Sequence, residues 1–146
     1  MTNGTSQPNR LGLWGWLGGG RWGWERDLYP LQRLTGLGLL LYFVLHILVT
    51  SSRAFGEAAW ARAMGAVTGP LFTIGEFLVF AAFAYHAANG LRLIVVELGW
   101  GVGQPIEPIY PYRSSVDGQR PWAVLAMAAA AVLLVWGAVD FFVIHN

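Results

Sequence analysis

The chain has 146 residues, 55% of them hydrophobic and only 12% charged, and its mean hydropathy is +0.49. Those values place it with membrane proteins and outside the soluble domains. It has no cysteine, which excludes disulfides, thiolate metal sites and cysteine nucleophiles, and a net charge of +1 gives no basis for nucleic-acid binding.

Residues 1–10 are polar and lack the apolar centre of a cleaved signal peptide. Residues 11–29 hold Trp14, Trp16, Trp22 and Trp24 among six glycines and two arginines, too much glycine for a stable helix. Tryptophan settles in the headgroup layer, where its ring is half buried and its N–H stays wet. Residues 1–29 therefore read as a polar, Trp-rich interfacial segment. A docking surface for a cytoplasmic partner is the other reading. Residues 30–146 read as one membrane domain of three helices.

The first span is expected at residues 34–52. It places 19 uncharged residues between Arg33 and Arg53, close to the ~20 needed to cross a bilayer. Thr35, Leu39, Tyr42, His46 and Thr50 share one face of that helix, and a polar-tipped face turns inward. Residues 53–69 form a loop or a short surface helix. Gly69-Pro70 then opens the second span at residues 71–98, with proline in a first turn.

Within that span, residues 80–92 are apolar except for His86, Asn89 and Arg92. An ionisable histidine at such a depth faces a bundle interior or a cofactor. Gly75, Val79, Ala82 and Gly90 share its face, so either a bulky group or a closely packed helix approaches there. Glu76 reads as an interfacial carboxyl, with a proton relay as the alternative.

Residues 99–119 are expected to be a loop, because Gly101, Gly103, Pro105, Pro108 and Pro111 interrupt any helix. Its 105–112 stretch is either an extended segment lying on a partner or a connector. The third span is expected at residues 122–144, where Ala126 and the alanines at 128–131 give a smooth packing surface. Asp140 and His145 fall at its far end, in reach of water. Arg10, Arg21, Arg26, Arg33, Arg92, Arg113 and Arg120 lie on one side and Arg53 and Arg62 on the other. That asymmetry predicts a cytoplasmic N-terminus and an outer C-terminus.

Three histidines are too few for the four axial ligands of two haems in a single chain. Depth separates them further. His86 lies ~9 Å into the membrane from Arg92 and His46 ~20 Å from Arg33, at 1.5 Å per residue. With the two arginines level, the histidines differ in depth by ~10 Å. Trans ligands on one iron stand only ~4 Å apart, twice a metal–nitrogen bond. His46 and His86 are thus not expected to share an iron. Each ligates a separate haem, or His86 alone ligates one, and the opposite ligand comes from another chain. Arg33 and Arg92 lie at the inner edge, where arginine forks onto a haem propionate or a quinone carbonyl, or serves membrane topology alone.

Two motifs resemble a known family. Gln32-Arg33-Leu34-Thr35-Gly36 resembles the His-Arg-x-Ser/Thr-Gly signature of the C-type cytochrome b membrane-anchor subunit of succinate dehydrogenase, respiratory complex II. His86-Ala-Ala-Asn89-Gly90-Leu-Arg92, followed by Glu97 and Gly99, resembles the same family's His-x-x-x-Gly-x-Arg…Asp-x-Gly in the second span.

The resemblance implies a subunit that performs no succinate chemistry itself. It would pass electrons from an iron–sulfur subunit to membrane quinone. Its implied partners are a second membrane-anchor subunit, the iron–sulfur subunit, a flavoprotein subunit and lipid. The implied cofactor is haem b, one or two, with His86 as axial ligand and His46 matching the first-span histidine of two-haem members. Arg33 matches the motif arginine near quinone and haem propionates, and Arg92 falls on the second motif's arginine. Three positions depart from the pattern: Tyr29 stands where a quinone-holding serine is common, Gln32 replaces the motif histidine, and Glu97 stands where aspartate is usual. The expected location is the cytoplasmic membrane of a bacterium or archaeon. The rivals are a fumarate reductase anchor, a non-haem structural anchor or assembly protein, and a small transporter. A transporter is expected to show repeats or broken helices.

Overall fold

The computed structural model describes residues 24–101 and 115–144. Trp14, Trp16, Trp22, the 105–112 stretch and His145 lie outside the described residues. The described part is helical, and three of its helices are long and apolar enough to cross a membrane.

A 3₁₀ turn at Trp24–Arg26 leads into α1, Leu28–Ser51. This helix begins six residues before the expected residue 34 and takes Arg33 inside it. The physical reason is local. Pro30 falls in the first turn, where a missing N–H forfeits no helical bond. The Arg33 guanidinium lies 4.6 Å from the centre of the Tyr29 ring one turn back, so the charge stays near the helix end.

Another 3₁₀ turn, Ser52–Phe55, and Gly56 at φ 96° join α1 to α2, Glu57–Ala66. Of the two readings for residues 53–69, the short helix is the one observed. Arg53 stacks 4.8 Å over the Trp60 ring beside it. Gly69 at φ 113° reverses the chain into α3, Pro70–Glu97, whose proline sits at its start.

The third long helix, α4, runs Ser115–Val139 and winds on as a wider π-turn, Asp140–Ile144. Residues 115–119, expected in the loop, are helical, and Pro121 lies inside the helix. Arg120 favours this extension, because it reaches Asp117 one turn back at 3.4 Å and Glu25 at 2.5 Å.

Helix α3 is the middle of the bundle and packs against both α1 and α4. Among the described residues the buried set is small: Leu28 on α1, Ala84, Tyr85 and Asn89 on α3, and Ala123, Ala126, Ala130 and Gly137 on α4. Helical spacing explains why only some of the expected alanine surface is used. Ala126 and Ala130 meet α3, whereas Ala128, Ala129 and Ala131 turn outward. Large side chains such as Leu34, Leu37, Leu41 and Phe43 are exposed along α1. A chain that turns its leucines outward is built to sit in lipid or against other membrane helices.

The bundle has two ends. The near end holds Leu28, Glu97 and Ser115, and the far end holds Ser51, Pro70 and Ile144. At the far end Phe77, Phe80, Phe141 and Phe142 stack with ring centres 5.1–6.0 Å apart, and the bare backbone of Gly137 faces the Phe80 ring.

Candidate cofactor site

His86 sits in the near half of the α1–α3 seam, flat against α1. A Cβ added to Gly36 would come within 2.9 Å of His86 Cε1, so only glycine lets the ring approach this closely. Ring nitrogen Nδ1 lies 3.2 Å from the Gln32 carbonyl oxygen and 3.1 Å from Thr35 Oγ1. The Thr35 hydroxyl donates to the Leu31 carbonyl at 2.8 Å, which leaves its oxygen to accept. Both neighbours of Nδ1 are therefore acceptors, and Nδ1 carries the hydrogen. Nε2 faces a donor, the Gln32 Nε2 amide, at 3.5 Å, the long limit of hydrogen bonding. Its lone pair is nearly unengaged.

The Gln32 side chain is itself held. It donates to the His86 carbonyl at 3.3 Å and accepts from Asn89 Nδ2 at 2.9 Å. Arg92 Nε donates to Asn89 Oδ1 at 2.9 Å. Asn89 is 0% exposed, and its amide is satisfied on both sides, as a buried amide requires. The same end is pinned by Tyr85, whose hydroxyl donates to the Leu28 carbonyl at 2.8 Å in a buried bond.

Beside the ring lies an open, almost wholly apolar groove of about 560 Å³, lined by Gln32, Arg33, Gly36, Leu37, Leu40 and His86. That volume falls within the roughly 300–1,000 Å³ of small-molecule sites. The groove offers one imidazole, one cation and an apolar wall.

The other expected residues are not all gathered here. Tyr29 is exposed beneath Arg33 at the groove's edge. Arg92 does not line the groove; it is turned toward Asn89. His46 is exposed and meets the Tyr42 ring at 5.6 Å. It lies ten residues beyond Gly36, or ~15 Å along the helix, and Gly36 is level with His86. The offset of ~10 Å expected from level arginines is thus larger, because Gln32, and not Thr35, lies beside Gly90. Glu76 lines a second, larger groove of about 760 Å³ with Leu39, Tyr42, Phe43, Val79 and Phe80. Among the described residues no three His, Cys, Asp or Glu side chains come together.

Periodicity did not reveal Gln32, Asn89, Tyr85 or Gly36 as members of one site. The available signal was an asparagine three residues after a histidine in an otherwise apolar run. Three positions apart on a helix share a face.

Residues 12–135 match the family described as the succinate dehydrogenase/fumarate reductase transmembrane subunit. The chain belongs to this family. It is a multi-pass membrane anchor subunit of that class. It is also similar to the succinate dehydrogenase hydrophobic membrane anchor subunit of Archaeoglobus fulgidus, with 31% identity over 72 residues. That match covers 49% of this chain and 62% of the relative's length. No solved structure matches the chain.

Proposed function

We propose that this anchor subunit holds a b-type haem through His86 and links an iron–sulfur subunit to membrane quinone. One observation carries the reading. Nδ1 of His86 is turned into the seam toward the Gln32 carbonyl, an acceptor that favours the hydrogen on that nitrogen, and Nε2 is left beside an apolar groove. That tautomer is the one an imidazole needs to give an electron pair to a metal, with its other nitrogen fixed by a carbonyl. Haem bound there supplies one-electron transfer.

The remaining roles follow from position. Arg33 is the groove's own cation and suits a propionate or a quinone carbonyl. Tyr29, stacked on Arg33, is the quinone contact at the edge. Arg92, outside the groove lining and bonded to Asn89, is proposed for the same propionate or quinone oxygens on the motif resemblance alone. The opposite axial ligand comes from a second membrane-anchor subunit, and His46 holds a second haem toward the far end. The near end faces the cytoplasm, under the iron–sulfur and flavoprotein subunits, in a bacterial or archaeal cytoplasmic membrane. Succinate chemistry stays with those partners. A fumarate reductase uses the same arrangement in reverse.

A second reading has one observation in its favour. Gln32 Nε2 faces His86 Nε2 at 3.5 Å while Thr35 and the Gln32 carbonyl face Nδ1, so both ring nitrogens have neighbours in this chain without a metal.

Gentle detergent purification, identification of the co-purifying subunits and a reduced-minus-oxidised spectrum decide between the two. The expected result is a b-type spectrum that His86→Ala abolishes. An unchanged spectrum in that variant overturns the ligand assignment, and absence of a Soret band from the wild type selects the structural anchor.

A further inference from the structure

The far half of the α1–α3 seam carries a carboxyl that no described group answers. Gly36 faces the His86 ring and Gln32 faces Gly90, which sets the two helices antiparallel and fixes the levels that meet. By that register Tyr42 lies level with Phe80, and His46 lies level with Glu76. Glycine lets the helices touch at His86, whereas rings stand along both helices here. Tyr42, Phe43, Phe80 and Phe83 line the groove of about 760 Å³, and Glu76 adds a carboxyl to it. Glu76 is exposed, and no hydrogen bond or ion pair within the described residues reaches its carboxyl, His46 included.

Depth narrows what can answer it. Helix α3 has 28 residues, ~42 Å at 1.5 Å per residue, against ~30 Å of hydrocarbon. A centred helix overhangs by ~6 Å at each end, and Glu76 lies ~9 Å in from Pro70, so ~3 Å inside the hydrocarbon. Acyl chains fill a groove between rings but donate no hydrogen bond, and lipid ammonium groups lie farther out. A carboxyl at that depth is costly unless an opposite charge meets it.

We propose that the far groove seats a transmembrane helix of another chain, and that this helix sets a basic side chain against Glu76. Its larger apolar side chains enter between the rings, and the charge pair fixes its height in the membrane. A shift along the seam would leave both charges alone in hydrocarbon. The seat is a property of this chain's far half and needs no haem at His86. That the helix belongs to the second membrane-anchor subunit rests on the reading given above.

Benzoylphenylalanine at Phe83 tests the seat, because it keeps a ring at a groove position that is 59% exposed. Native membranes are illuminated, and the adduct is mapped by mass spectrometry. The expected adduct is a membrane-spanning segment of a different polypeptide, with arginine, lysine or histidine ~10 Å, or two turns, farther toward the far end. Should that variant fail to assemble, the same probe at Phe43 carries the same expectation with the base one turn away. Glu76→Gln then removes the charge at nearly constant shape. Retention of that polypeptide in detergent is expected to fall about 3- to 30-fold, the range of one polar contact between membrane helices. Glu76→Lys paired with glutamate at the mapped base is expected to restore it.

An adduct with lipid alone, with a second copy of this chain, or with a segment that has no base in that reach overturns the proposal. Undiminished retention in Glu76→Gln overturns it too. A basic helix from a polypeptide outside the complex supports the seat and rejects the second-anchor identity. A haem-free wild type that still shows the adduct and the charge-swap rescue supports the seat and rejects the haem.

Discussion

The near and far halves of the α1–α3 seam treat their polar side chains in opposite ways. In the near half, Thr35, Gln32, His86, Asn89 and Arg92 bond to one another across two helices, and Tyr85 ties α3 back to Leu28. In the far half, His46 and Glu76 are exposed, and phenylalanine stacking holds α3 to the end of α4. The His46 ring meets the Tyr42 ring. The near half is complete within one chain. The far half leaves the His46 ring and Glu76 exposed to whatever lies outside it, and this difference makes His86 the stronger ligand candidate and His46 the one that depends on a partner.

The sharpest break of that contrast comes from the two histidines. His86→Ala is expected to remove the b-type absorbance of the purified complex altogether. His46→Ala is expected to halve the haem measured as pyridine haemochrome, and a wild-type ratio near one per complex removes the second haem.

Two glycines on α1 give the next effect. Gly36→Ala puts a methyl 2.9 Å from the His86 ring, with an overpacking cost of about 1–3 kcal/mol. The gain in helix propensity offsets about 1 kcal/mol of that. The expected net result is a loss of up to about 2 kcal/mol and weaker haem retention. Gly38→Ala meets open space and is expected to stabilise by about 0.5–1 kcal/mol. Thermal unfolding of the two variants checks the pair; destabilisation by Gly38→Ala would show that a partner helix lies there.

Tyr85→Phe removes one buried hydrogen bond, worth about 0.5–1.5 kcal/mol, and is expected to lower the melting temperature without changing the spectrum. The smallest effect belongs to Glu25. Its own backbone N–H bonding, and then Arg120, hold its carboxyl below the ordinary 4.5. A depressed carboxyl stabilises the folded chain above that ordinary value, and the contribution is lost as pH falls through the lowered one. Glu25→Gln is therefore expected to melt slightly earlier at neutral pH and to match the wild type in acid. A gap that persists in acid rejects the ion pair as its cause.

Much of this was legible in the sequence. Apolar run lengths marked three helices able to cross a membrane, and a lone histidine in an apolar stretch marked the candidate site. Helix ends were harder to read. Charge at Arg33 suggested a boundary, but stacking on Tyr29 lets α1 run back to Leu28. Glycine and proline suggested a loop through residue 119, yet Arg120 pairing holds residues 115–119 in α4. The bonding of Gln32 to Asn89 and His86 was not legible, because it depends on how α1 slides against α3. Helical periodicity names the face of each helix and says nothing of the register between two of them.

That register has a consequence for how the protein is made. Membrane helices enter the bilayer one by one and pair afterwards. Until α1 meets α3, Gln32 and Asn89 have only acyl chains or each helix's own backbone for company, and both amides are poorly solvated there. A slip of one turn would pull Gln32 away from Asn89 and restore that penalty. The seam thus proofreads its own assembly, and unpaired subunits would be the ones that membrane quality control finds first.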